Sequence, residues 1–409
     1  MTTAPQAKTR IRRGPALAAS AALGLLAACS QDRHLIGEGM TKSDPLQVDG
    51  GAGLSSATPD AAGPLAARQL AISGREAVRR LGLVLWNQPS DPALLAEADS
   101  GAFKTSEDIR KLALRMLDDP RARGPVGAFY RWWLKQDDLL QAVKDPTLFP
   151  EFTPALRAEM ANETETFGVH VTLDLHAGVR ELLTAPYGFS TERLAPLYGL
   201  TGVTGPEHRK TPLGDDRSGV LTLAGVLATT SLPHRVSPTV RGKFVLEHLL
   251  CTPPPPPPSQ TPPLADAAPE GTTRERLTSL LQGSPACQGC HSLIDPPGFA
   301  LDGFDVIGRA RTVENGRPLN TQARLSGTLT GFIAGARDLG LELAAVRDTT
   351  NCFAQHYLTF ALGGTPLRQP AIQSLQKLFA DVVLRPPLLR EHIASVMQSE
   401  AILGPDFAR

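Results

Sequence analysis

The residues best suited to chemistry form one short run, Cys287-Gln288-Gly289-Cys290-His291. Two thiols separated by two residues, followed at once by an imidazole, are the spacing that stitches a porphyrin to a polypeptide. Each thiol adds across one vinyl group, and the histidine is delivered beneath the iron as proximal ligand. Cys287, Cys290 and His291 are therefore read as the attachment points of one haem c. Rival uses are weaker. Structural zinc wants a second ligand pair, and with no second Cys-x-x-Cys only Cys352 could complete it. A thioredoxin-like pair wants a βαβ setting that the surrounding pattern lacks. A plain disulfide across the short span is the remaining alternative.

The distal side of the iron is open to several readings. No methionine lies between Met160 and Met397, and Met397 falls in the tail. His356 is carried as the distal candidate because it stands on a helix suited to packing on a haem segment. His234 and His248 are upstream alternatives. A vacant position would permit ligand or peroxide chemistry, whereas two strong ligands favour electron transfer alone. Arg309 and Arg311, after Gly308, are candidates to pair with haem propionates. Pro296-Pro297-Gly298-Phe299 is expected to lay apolar surface beside the macrocycle.

Haem ligation of this type takes place outside the cytoplasm, and the N-terminus reads as an export signal. Lys8, Arg10, Arg12 and Arg13 precede an apolar run from Pro15 to Ala28, too short to span a bilayer as a mature helix. Leu26-Ala27-Ala28-Cys29 resembles a bacterial lipobox, which implies cleavage before Cys29 and lipidation of it. Ser30 in the next position points to the outer membrane, with the lipid as the only membrane attachment. The chain has five cysteines. With Cys29 assigned to lipid and the 287/290 pair to haem, Cys251 and Cys352 are expected to form a disulfide in an oxidising compartment.

The elements that must position these groups read as mainly α. A tether (29–68) follows the signal (1–28), and a helical domain of unknown role spans 69–250. A proline-rich linker, 251–271, contains Pro253 to Pro258 as a stiff polyproline II spacer. A small cytochrome c-like α domain (272–365) and C-terminal helices (366–409) complete the chain. Ser106 is the expected cap of a helix through Leu117, which Asp119-Pro120 stops. Helices are also expected from Pro125 to Leu140, Pro154 to Leu175, Val179 to Leu183, Val220 to Thr230, Thr239 to Leu250, and over 349–362. No strand alternation of useful length precedes residue 300, and 292–345 reads as loop-rich. Glu163 and Glu165 face apart on a helix, and His170 and His176 have poor metal spacing, so neither pair makes a hydrolytic centre.

Lys plus Arg equals Asp plus Glu at 41 each, which gives no bulk electrostatic reason to seek nucleic acid. The run from His291 through Asp295-Pro-Pro-Gly298-Phe-Ala-Leu301 to Phe304-Asp305-Val-Ile-Gly308-Arg309 resembles a large group of exported planctomycete- and myxobacterial-type proteins. Those proteins are of unknown function and carry a C-terminal cytochrome c-like segment. Arg131-Trp132-Trp133-Leu134, Glu181 to Tyr187, Ser237-Pro238-Thr-Val-Arg241-Gly242-Lys243 and Leu358 to Gly363 match in order and spacing. The resemblance implies haem at Cys287 and Cys290 with His291 as ligand, and supplies no substrate. A lipid-anchored mono-haem electron carrier with an unknown redox partner is the leading expectation. The alternatives are a peroxidase-like haem oxidoreductase and a non-enzymatic surface binding or assembly protein.

Overall fold

A computed structural model describes residues 68–256, 270–282, 285–380, 388–405 and 407. The expected signal, Cys29 and the expected tether up to residue 67 lie outside the described residues. The first part runs through α1 (Gly74–Leu81), α2 (Pro92–Asp99), α3 (Ser106–Leu117), α4 (Arg123–Trp133), α5 (Gln136–Gln141), α6 (Pro154–Val169) and α7 (Val179–Thr184). A hairpin of β1 (Tyr187–Ser190) and β2 (Arg209–Pro212) precedes α8 (Ala224–Thr229) and α9 (Pro238–Phe244). Then come α10 (Thr273–Gln282) and α11 (Pro285–Ala300). Two small hairpins follow, β3 (Val313–Glu314) with β4 (Arg317–Pro318), and β5 (Ala323–Leu325) with β6 (Gly331–Ile333). The chain closes with α12 (Ala336–Ala345), α13 (Arg347–Ala361), α14 (Gln369–Ala380), α15 (Leu389–Val396) and α16 (Glu400–Leu403). The fold is mainly α, and no described helix is long and apolar enough to cross a membrane.

Local chemistry accounts for the ends. Thr105, not Ser106, caps α3: its hydroxyl accepts from the Asp108 amide, and the Asp108 carboxylate accepts in return from the Thr105 amide. The expected helix from Pro125 is broken, because Lys135 takes a left-handed conformation and α5 starts afresh at Gln136. Three helices end in a wider, π-type turn: Gly82–Trp86 after α1, His170–Asp174 after α6 and Val245–Leu249 after α9.

One hydrophobic core extends from Leu81 in α1 to Leu403 in α16. At its centre Phe129 and Trp133 of α4 meet Phe353 and Tyr357 of α13, with ring centroids 5.0–5.5 Å apart in edge-to-face contacts. Elements before and after the proline run share this core, and α9 packs closely on α11 across it. A second crossing of the run is covalent. Cys251 and Cys352, 101 residues apart, are joined by a disulfide with Cα atoms 5.3 Å apart. Closing so long a loop constrains the unfolded chain by about 4–5 kcal/mol in the chain-entropy model.

The β1–β2 hairpin is held to α6 through Glu163, whose side chain is fully buried. It accepts from the Phe189 amide at 3.1 Å and from the Tyr198 hydroxyl. Burial pushes the Glu163 carboxyl up to about 7, against the pull of those two bonds and of Arg217. The folded state therefore keeps this proton longer than the unfolded chain does. Its contribution to stability is whole below about pH 4.5 and declines as pH rises towards about 7. Glu163→Gln is expected to abolish that decline. The gap in unfolding free energy between wild type and variant should then change by up to about 3 kcal/mol across the same window. Urea titrations at a series of pH values read the gap, and a constant gap contradicts the assignment.

Candidate haem-attachment site

Cys287, Cys290 and His291 all lie in the first half of α11. Positions i, i+3 and i+4 share one face of a helix, so both thiols and the imidazole point to the same side. All three residues are half-buried. The stripe they begin continues through Ile294, Asp295 and Gly298, which are buried against α9. The functional face is thus the outer end of a packed seam.

The seam is tight because two glycines make it so. A Cβ on Gly298 would overlap the Pro238 carbonyl, and one on Gly242 would overlap the Ile294 carbonyl. Arg241, fully buried, locks the far end. Its guanidinium donates to the carbonyls of Leu301 at 2.5 Å, Phe304 at 2.9 Å and Asp305 at 2.8 Å. Burial lowers its pKa to about 9, which leaves it a cation at neutral pH.

Prolines 296 and 297 lie inside α11, where a loop was expected from residue 292. Pro296 has no N–H to offer the Ser292 carbonyl four residues back. The Ser326 hydroxyl, in the β5–β6 turn, donates to that carbonyl at 3.0 Å and replaces the missing bond. The helix therefore survives its own breaker through a tertiary contact.

His291 Nδ1 lies 2.9 Å from Asp295 Oδ2, and the Thr239 hydroxyl of α9 donates to Asp295 Oδ1 at 2.8 Å. An ionised carboxylate only accepts, so Nδ1 is the donor of this pair and Nε2 is the nitrogen left to face a ligand. The Asp295 side chain is 4% exposed, and burial raises its pKa against the opposing pull of the Thr239 and His291 bonds. A carboxylate behind a ligating histidine fixes its tautomer and ring orientation and makes it a stronger donor. On the opposite face of α11 a Cβ on Gly289 would meet nothing within 4 Å, so that side of the helix faces open space. Leu293 of α11 and Leu280 of α10 are exposed apolar side chains. Two thiols and an imidazole on one half-buried face, braced from behind, fit the donor set of a haem c.

The other expected residues are placed elsewhere. The Arg309 guanidinium is taken by Asp305 at 2.6 Å and Glu151 at 2.7 Å, so it is a clamp between chain segments and not a cation waiting for a propionate. Arg311 is bound to Asp302 at 2.6 Å. Phe299 is buried beneath the guanidinium of Arg274, 4.3 Å from its ring centroid, and so does not present its ring to solvent. His356 lies among Trp132, Trp133 and His248, on a helix packed against α4, α14, α15 and Val245–Leu249. The main packing partners of α11 are instead α9, β5 and α10. Met397 is fully buried and His234 is exposed.

Two family models match this chain. Residues 72–200 match PSD4, a protein of unknown function (DUF1592), and residues 217–314 match PSCyt3, a protein of unknown function (DUF1588). Both matches are to domains of unknown function. The second span takes in the whole α9–α11 seam and the Cys287–His291 motif. No curated protein and no solved structure matches.

Reading the motif alone missed Thr239, Asp295 and Arg241 as parts of the site. The one available signal was that Ser237–Lys243 and His291–Leu301 stand out together as two fixed blocks. Nothing in either block says that they touch.

Proposed function

We propose that this is an exported, lipid-anchored c-type haem protein that exchanges electrons with a partner protein. Cys287 and Cys290 would hold the haem by thioether bonds, and His291 would ligate its iron. Lipidation at Cys29 would anchor the chain to the outer membrane. The observation that supports the reading is the Thr239–Asp295–His291 relay, which orients the imidazole on the same helix face as two half-buried thiols. When bound, the haem supplies a one-electron couple. The chain's own contribution is to orient the imidazole, to keep the proton on Nδ1, and to seat the motif on a helix that cannot shift along α9.

The carboxylate behind His291 also favours a second reading, a haem oxidoreductase, because a haem held by a more strongly donating His291 would supply peroxide chemistry. Carbon monoxide separates the two. A reduced spectrum that shifts under the gas supports open coordination, and an unresponsive low-spin spectrum supports electron transfer alone.

The attachment itself is tested by expression in a host competent for haem ligation, followed by extraction of denatured protein with acidified acetone. Pigment is expected to stay with the wild-type polypeptide and to be lost in Cys287→Ala/Cys290→Ala. Colourless wild-type protein, or pigment that leaves with the solvent, overturns the reading.

A further inference from the structure

A second group of ligand-type side chains lies at the other chain crossing. Cys251 follows the π-type turn Val245–Leu249, and Cys352 and His356 stand four apart on one face of α13. One ligand atom from each of Cys251, Cys352 and His356 lies within 4.8 Å of the others. His356 bonds the Glu247 backbone, while its Nε2 is buried with no hydrogen-bond partner. His248, three residues before Cys251, stacks on His356 with ring centroids 5.6 Å apart, and its Nδ1 is likewise buried and partnerless. Two buried lone-pair nitrogens beside two sulfurs are an unpaid desolvation cost that a cation would relieve.

We infer that the Cys251–Cys352 disulfide is the oxidised form of a metal site which, once reduced, binds one thiophilic d10 cation of the zinc type. The spacing is His248-x-x-Cys251 and Cys352-x-x-x-His356. It brings two sulfurs and one imidazole together from two elements, with a second imidazole stacked on the first, which together make up the donor set of tetrahedral structural zinc. Cys251, Cys352 and His356 form the preassembled triad, and His248 would turn its ring to supply the fourth ligand. A protein dithiol of the thiol–disulfide exchange class would supply two electrons and two protons. One S–S bond breaks, two thiols form, and the reductant leaves as its own disulfide. Cation binding then releases the two thiol protons to solvent. Cys352 is fully buried and Cys251 only partly, so Cys251 is the sulfur open to attack. Either state would tie α13 to the end of α9.

The inference stands apart from the haem reading, so its test uses the full chain carrying Cys287→Ala and Cys290→Ala, which removes the competing thiols. After anaerobic reduction, one equivalent of Co(II) is expected to give thiolate-to-metal charge transfer and the intense visible bands of a tetrahedral centre. Zn(II) should bleach them, and the oxidised protein should show neither. His356→Ala in the same background is expected to weaken Zn(II) binding at least tenfold, and His356→Gln serves if the alanine variant does not fold. Absence of cobalt bands in reduced, folded protein overturns the site, as does unchanged Zn(II) affinity in a folded His356 variant.

Discussion

Gly298→Leu is expected to be among the most damaging single changes in the chain. The space that a side chain would need is filled by the Pro238 backbone, which a rotamer change cannot clear. Overpacking a core ordinarily costs about 1–3 kcal/mol, and a backbone obstruction belongs at or above the upper end of that range. Gly289, on the same helix with nothing within 4 Å of a Cβ, supplies the contrast. Gly289→Ala should be neutral or gain about 0.5–1 kcal/mol, because alanine suits a helix better than glycine does. Denaturant midpoints of the two variants read the difference directly. Equal midpoints would mean that the α9–α11 seam is not the tight junction described.

Asp295→Asn is expected to act on the electronics of the site and leave its assembly intact. The amide can still accept from Thr239, but it removes the negative charge behind His291. In the haem-loaded form proposed above, losing that charge would disfavour the oxidised metal, so the midpoint potential should rise. A tenfold change in the balance between reduced and oxidised forms corresponds to about 59 mV for a one-electron couple, and a rise of at least that size is expected. Thr239→Val should move the potential in the same direction as it loosens the carboxylate, by a smaller amount. Spectroelectrochemical titration of the pigmented protein gives both values. A potential unchanged in Asp295→Asn would show that the carboxylate does not act on the ligand.

How much of this was legible beforehand depended on the range of the interaction. Helices with an apolar period and a local stop, such as α3 ending before Asp119-Pro120 or α7 at Val179–Thr184, were readable because neighbours in sequence determine them. The β1–β2 hairpin was not, since all four residues of β1 are buried and β2 is mostly exposed, so neither alternates. Pro296-Pro297 suggested a loop because the replacement donor, Ser326, is 34 residues away from the carbonyl it satisfies. The chemical motif could be read at once, since its five residues are contiguous. Its brace could not, because Thr239 and Asp295 meet only through the tertiary crossing. Arg309 looked available because sequence does not reveal that Glu151 has already engaged it.

The Arg241 clamp also bears on the order in which the molecule can be completed. Three of its acceptors are carbonyls of Leu301, Phe304 and Asp305, all of them made about sixty residues after it. Until those residues are in place, an arginine in that position would be a buried cation with too few acceptors, a condition worth several kcal/mol. The leading two-thirds of the polypeptide therefore cannot close its interior by itself. Final closure waits for the segment downstream of the two thiols.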